Sequence, residues 1–447
     1  MKILKSIVIL IFVAVLIFPI VFFNFNEDAV SEIDNRKLAK NPFSEEGDLT
    51  KNLENYVNDR IGLRDEIITG YTIINDKLFG IMEHPSYTYG KDGFVFGAGI
   101  TVKDNFSDFH IAFAEMVKKI QNYCLERGTP FVFVFNPAKP AVYQEKIASG
   151  IKYNRTWVDK FFLELDKRGV SYVDNTKTLI DIKTKGINGF NVKYDANHWN
   201  DVGAFYGTNE MLKALKPAIN NVHVNTIEEF NVTYEHKDTL LVSNFPINEN
   251  VPLYQAKVNA YNIGGNYANL KLDSQYRSFG YYVNDVRKEE GAPRSLVFQG
   301  SYVNSYGYKF LANAFGEYIH VHDYQNVINF PYYYNVFKPD CVIFEVAEYT
   351  FIETYFDFQK MLNIDYNPNF SSSNCLQLDV NNENLVIKQQ DDTLTTLEFI
   401  TSVPYRYAWI ELDSVYDMQK SERGYEVTVK TEVINNKMNA KVYVSNQ

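Results

Sequence analysis

The sequence predicts an α/β protein: a three-layer domain with a parallel sheet, a β-rich insertion, a small C-terminal β-sandwich and an N-terminal transmembrane anchor. Three observations predict it. Residues 131–135 read Phe-Val-Phe-Val-Phe, a wholly apolar strand of the kind a parallel sheet buries on both faces. Strand-like and helix-like runs alternate around it and resume between residues 295 and 346, the pattern of βα units. From Asp365 the alternation stops, and six short strand-like runs at about 10–15-residue spacing read as a sandwich.

The elements follow in order. Lys2 and Lys5 precede an uncharged run from Ser6 to Asn26, and Glu27 and Asp28 follow it. A run of ~20 residues crosses a bilayer core as a helix. The lysines place the N-terminus in the cytoplasm and the rest outside. A cleaved signal peptide is the alternative, but Val21, Phe22, Phe23 and Phe25 fill the place of a small-residue cleavage site. The rest of the chain exceeds one core. The expected division is an anchor over 1–26, a catalytic domain over 27–364 with an insertion at 218–290, and the sandwich over 365–447.

Residues 27–85 are helical in pattern. Leu53, Tyr56, Val57, Ile61 and Leu63 mark an apolar stripe, which Ile67, Ile68, Tyr71, Ile74 and Leu78 continue. The turn Asn58–Asp65 interrupts it, with Arg60 and Arg64 as structural ion-pair donors. Tyr87–Phe96 reads as a hairpin turning at Lys91-Asp92-Gly93. A helix over 105–127, the strand Phe131–Phe135, a helix Trp157–Lys167, a strand Ser171–Asp174 and a helix Asn200–Leu215, capped by Asn200 or Asp201, come next. The insertion carries strand-like runs at Thr239–Ser243 and Tyr254–Tyr261. Then follow a strand Ser295–Phe298, a helix Gly307–Phe315, a short strand at His320-Val321, a turn at Asn335-Val336 and a strand Asp340–Val346.

A net charge of −11 makes nucleic acid a poor partner and a neutral or polyhydroxylated ligand an easier one. The 33 Tyr and 33 Phe mostly fill the core, and the remainder suit sugar rings. Cys124, Cys341 and Cys375 form no disulfide framework, and the seven histidines show no zinc pattern, so neither metal nor cofactor is expected.

The chemistry gathers in two segments. Ser301 follows an apolar run and Gly300, where a sharp turn lifts Oγ to the sheet's C-terminal edge. The helix start behind it offers backbone N–H groups to an oxyanion. A serine hydroxyl needs a base, and the base an orienting acid. Asp195 and His198 share one turn, so the carboxylate reaches Nδ1 and leaves Nε2 for the serine. Trp199 is expected to wall the site, Lys139 to hold a polar group and Tyr143 to cover the pocket, with Gly300 and Tyr302 beside the substrate. Glu345 and Glu348 form a polar rim rather than a glycosidase pair.

Tyr194-Asp195-Ala196-Asn197-His198-Trp199-Asn200 with Gly203-Ala204, then Gly300-Ser301-Tyr302, then Phe337-Lys338-Pro339-Asp340 leading to Phe344-Glu345-Val346-Ala347-Glu348, resemble in that order the alginate O-acetyltransferases of the AlgX and AlgJ type. The wider group is SGNH hydrolase-like and includes DltD and the DHHW-motif proteins. Asn58–Asp65, Lys91–Phe96 and the loop at Pro137 with Lys139 and Tyr143 are similar too, so the resemblance runs from about Asn52 to Tyr355. It implies an SGNH-like fold with Ser301 as nucleophile, His198 as base and Asp195 as orienter. It implies O-acetylation of an exopolysaccharide outside the cytoplasm, with a membrane-bound O-acyltransferase as acetyl donor. The AlgX pattern has one residue between Asp and His where this chain has two, and Ala196 stands where the DHHW pattern has Asp. The C-terminal module matches a carbohydrate-binding module only in position and β character. The alternatives are an acetylesterase of the same fold and a non-catalytic polysaccharide-binding protein.

Overall fold

The computed structural model describes residues 2–31, 33, 36–44, 47–84, 86–97, 106–241, 245–434 and 440–446, without the side chains of 2–4, 15, 16 and 36. Among these residues one sheet organises the site. Its strands run, in space, Tyr172–Asp174, Phe131–Asn136, Cys341–Ala347, Arg294–Gln299, Glu317–His322, Phe279–Val283 and Tyr261–Asn262. The first five are parallel. The last two are antiparallel, so the sheet is mixed where a parallel one was expected. Antiparallel pairing needs no crossover helix, and the insertion delivers Phe279–Val283 to the edge without one.

Side chains alternate across the strands. Phe298 and Phe344 enter one apolar layer with Phe113 of a helix over Asp108–Glu126 and Phe161 of a helix over Thr156–Lys167. Val297 and Ile343 enter the other, with Leu212 of a helix over Asp201–Leu215 and Phe310 of a helix over Tyr308–Ala314. Both faces are dry, which is why these strands read as continuous apolar runs.

In the insertion, Phe230–Thr239 and Pro246–Ala256 pair as a long antiparallel ribbon. The expected strand at Thr239–Ser243 lies partly outside the described residues. Tyr254–Tyr261 is not one strand: it holds the end of the ribbon and the start of the sheet's edge. Asn335-Val336, expected as a turn, lies in a helix over Phe330–Phe337 that Pro331 opens.

The C-terminal residues form one curled antiparallel sheet of seven strands, not a sandwich. Val415–Lys420 is the strand the sequence reading missed. Curling lets a single sheet bury its own inner face, with Leu397, Phe399, Ile410, Met418, Val427 and Val442 inside. Alternation alone shows that one face is buried, not against what. Asp417 of this sheet meets Arg127 at 2.9 Å and the Tyr123 hydroxyl, which docks the sheet on the α/β body.

At the N-terminus, helix α1 (Lys2–Val21) precedes α2 (Leu49–Arg60) and α3 (Arg64–Phe79). Among the described residues no helix is long and apolar enough to cross a membrane. Residues 15 and 16, in the middle of α1, are not described beyond their backbone. Among the described residues Arg60 makes no ion pair: its guanidinium donates to the carbonyls of Asn24, Asn26 and Ala39 at 2.7–3.0 Å. Arg64 does pair, with Asp65 at 2.8 Å.

Candidate active site

Strand Arg294–Gln299 ends at the C-terminal edge of the sheet, Gly300 turns the chain, and Ser301 begins a helix. Asn304 is the first residue to close that helix, its N–H donating to the Gly300 carbonyl at 3.0 Å. The amides of Ser301, Tyr302 and Val303 therefore form a positive helix end beside the Ser301 hydroxyl. The Gly300 amide is committed elsewhere, donating to Glu345 Oε2 at 2.8 Å. Gly300 thus shapes the turn and does not face a substrate.

The loop ahead of the helix Asp201–Leu215 carries the other two groups. Asn200 caps that helix through the Gly203 N–H, which frees Asp195. Asp195 takes a left-handed φ of 51°, rare for a residue with a Cβ. Its carboxylate folds back on the His198 N–H (3.1 Å) and on His198 Nδ1 (2.8 and 3.0 Å). His198 Nε2 lies 2.9 Å from Ser301 Oγ. The three residues read from the sequence thus meet in the order acid, imidazole, hydroxyl.

Burial works against the Asp195 carboxylate, but the charge and hydrogen bonds of His198 and a hydrogen bond from Tyr306 outweigh it and hold this acid below its usual range. Two tyrosines at the site were not found from the sequence. Tyr306, in a π-turn over Val303–Gly307, donates to Asp195 Oδ2 at 2.8 Å. Tyr349 follows the strand Cys341–Ala347, its hydroxyl 2.7 Å from Ser301 Oγ and 3.0 Å from His198 Nε2. Desolvation of that hydroxyl holds the phenol well above its ordinary value, so it stays protonated. Nothing in a chain of 33 tyrosines distinguishes these two.

The other residues expected at the site lie behind the triad. Trp199 is buried behind the site and donates from Nε1 to the Tyr302 carbonyl at 2.9 Å. Tyr302 is buried too, its hydroxyl sharing one proton between the carbonyls of Pro137 (2.8 Å) and Asn197 (2.7 Å) while its ring meets His198. Lys139 is fully buried and donates to the carbonyls of Val95 (2.7 Å) and Val192 (3.0 Å). Burial lowers it to about 7 against the pull of Glu249 and Asp195. Tyr143 is buried against Phe94 and donates to Asn188 at 3.3 Å. These four build the walls behind the site rather than its opening.

Glu345 and Glu348 are buried, not a rim. Glu348 binds Arg155 and the Ala138 N–H. Glu345 accepts from Gly300 and, at 2.6 Å, from Asn136. Burial, aided by Asp323, pushes it up to about 8. Asp323 is itself raised by burial, against the nearby His322. Glu249, on the ribbon, accepts three successive backbone N–H groups, those of Val192 (2.7 Å), Lys193 (2.9 Å) and Tyr194 (2.6 Å). It thereby fixes the segment that leads into Asp195.

The family model for the SGNH hydrolase-like domain of the acetyltransferase AlgX matches residues 88–261, which include Asp195 and His198 but not Ser301. No curated protein sequence matches. Among solved structures, PatB1 of Bacillus cereus is 16% identical with a TM-score of 0.44, covering 60% of this chain and 97% of its own. The O-acetyltransferase domain of Pseudomonas putida AlgJ is 15% identical with a TM-score of 0.44, over 62% of this chain and 98% of its own. Pseudomonas aeruginosa AlgX is 13% identical with a TM-score of 0.39, over 80% of this chain and 93% of its own.

Proposed function

We propose that this chain, with its AlgX-type SGNH hydrolase-like segment, is a membrane-anchored O-acetyltransferase that acetylates a glycan outside the cytoplasm. The observation that carries the reading is His198 bridging Ser301 (2.9 Å) and Asp195 (2.8 Å). In the first half-reaction Ser301 Oγ attacks the acetyl carbonyl while His198 Nε2 takes its proton. The developing oxyanion faces the helix-end amides and the Tyr349 hydroxyl. The donor's leaving group departs with the proton from His198. A sugar hydroxyl then gives its proton to His198 and attacks the acyl-serine, which yields the acetylated sugar and restores Ser301.

Helix α1 is proposed as the anchor, and a membrane-bound O-acyltransferase as the source of the acetyl group. An esterase is the second reading, because Ser301 is only half-buried and water reaches the same site. Mass spectrometry decides between them. Incubated with p-nitrophenyl acetate and sugar oligomers, the protein should gain one acetyl group, lose it to the sugar, and gain none as Ser301→Ala. Release of acetate to water alone identifies an esterase. An adduct that persists in Ser301→Ala refutes the triad.

A further inference from the structure

Most of the apolar stripe read from the sequence is, on α3, turned to the outside. Ile67, Tyr71, Ile74 and Leu78 lie at i, i+4, i+7 and i+11 and are 54, 57, 56 and 69% exposed. The opposite side of α3 does the packing: Thr72 is buried, and Ile73 joins a cluster with Met82, Tyr87, Val95 and Ala196. A continuous uncovered stripe of this kind marks an interaction surface.

What covers it is indicated by α1. The end of α1 is fastened to the turn between α2 and α3. The Gly62 N–H donates to the Pro19 carbonyl at 3.0 Å, and the Asn24 N–H to the Arg60 carbonyl at 2.8 Å. The approach is so close that a Cβ on Gly62 would clash with Phe22. Arg60 ties down the next carbonyls, those of Asn24 and Asn26. The exposed stripe of α3 therefore starts where α1 ends. Apolar side chains of α1 are exposed on successive positions, Ile7 to Val13, and so on every side of the helix. A helix apolar all round, with its described side chains from Ile7 to Val13 exposed, belongs in lipid. Lipid is also the one occupant that surrounds α1 and reaches the adjoining stripe without a further interface.

We infer that α3 lies in the membrane interface, with Ile67, Tyr71, Ile74 and Leu78 buried at the headgroup boundary beside the exit point of α1. The inference rests on the reading of α1 as an anchor. An interfacial helix sinks its apolar face about 5–10 Å. Tyr71 suits such a boundary, with an apolar ring and a polar tip. The anchor already holds α3 at the surface, so its small apolar area acts at high effective concentration. On its other face α3 carries the cluster that contains Ala196, next to Asp195. The triad is thereby held over the bilayer surface, where an acetyl group delivered through the membrane emerges.

The test uses the full-length chain in vesicles of phosphatidylcholine and phosphatidylglycerol. Nitroxide labels are placed at Ile67→Cys, Ile74→Cys and Leu78→Cys in a Cys375→Ser background, with Lys185→Cys as the aqueous reference. Collision with oxygen and with a water-soluble nickel complex is read by electron paramagnetic resonance. Lipid burial predicts a reversal at the three stripe labels, with oxygen favoured over nickel, and none at residue 185. Water-like values at the stripe overturn the inference. Shielding from both reagents means that a protein surface covers the stripe, and overturns it too. A carbonate wash separates this from the anchor: a chain that washes off refutes the anchor and the inference together, whereas a retained chain with water-exposed labels refutes only the inference. A second measurement needs no substitution. A photoactivatable lipid should label the wild-type chain within residues 64–79 as well as in α1, and labelling confined to α1 overturns the inference.

Discussion

Tyr306 adds a hydrogen bond, at Oδ2, to a carboxylate whose two oxygens already face His198 Nδ1. A hydrogen bond to a charged group contributes about 1.5–3 kcal/mol, so Tyr306→Phe should lower kcat by about 10-fold or more with the fold intact. Steady-state hydrolysis of p-nitrophenyl acetate and thermal unfolding check both halves of that statement. Glu249 acts one step further away. Its two oxygens accept three N–H groups, and Gln would replace one oxygen with a donor facing them. Glu249→Gln should release the Asp195 backbone from its left-handed conformation. A displacement of about 1 Å at the base costs about 10²-fold, expected in kcat and not in KM. Asp195, His198 and Ser301 were legible because a short spacing and a strand-turn-helix context carry them. Tyr349 and Glu249 were not, because tertiary contact alone brings them to the site. Lys139 opens a short helix, Lys139–Val142, where a loop was expected, and Tyr143 follows it; a sequence does not say which way a side chain turns, and both turn inward.

The end of the central strand is held by a buried acid. Glu345 keeps the Gly300 turn in place, and its carboxyl is pushed up to about 8 from an ordinary value of 4.5. Between those values the folded chain holds a proton that the unfolded chain has released. Stability from this group is therefore complete below the unfolded value and is lost as pH rises toward the folded one. Asp323 is shifted in the same sense, whereas Lys139, lowered to about 7, gives the opposite slope above that pH. Below pH 6.5 the buried His110 and His320, lowered to about 4 and about 3, also give a rising slope, so the test is a difference: in denaturant titrations from pH 5 to 7 the stability of the wild type relative to Glu345→Gln should fall as pH rises. An unchanged difference would remove Glu345 from the account. Among the elements, the apolar strands and the helices between them were legible from periodicity. The antiparallel edge and the single curled sheet were not, since alternation reports a buried face and neither the direction of a neighbour nor the identity of what covers it.

The molecule is joined across its two sheets by Asp417, which Tyr123 of the Asp108–Glu126 helix and Arg127, just past its end, satisfy. Removing one partner of a buried ion pair costs about 3–5 kcal/mol, because the other charge is left without compensation. Burial already raises the Asp417 carboxyl, so neutralisation relieves part of that, and Arg127→Met should destabilise by about 3 kcal/mol in thermal unfolding. Acetate release from p-nitrophenyl acetate at low temperature should change little, since neither residue touches the triad. The order of the strands has a further consequence, one of time. Cys341–Ala347 is the last strand of the main sheet to be synthesised, yet it lies between Phe131–Asn136 and Arg294–Gln299. A chain leaving a ribosome or an export channel with its N-terminus first has already released Asp195, His198 and Ser301 while the middle of its sheet is still missing. Until residue 347 clears, two open strand edges wait for a partner, and that interval is the one in which the chain is most exposed to aggregation and most in need of a holdase. The same delay keeps the nucleophile unassembled until the strand that carries Glu345 and leads to Tyr349 is in place beside it.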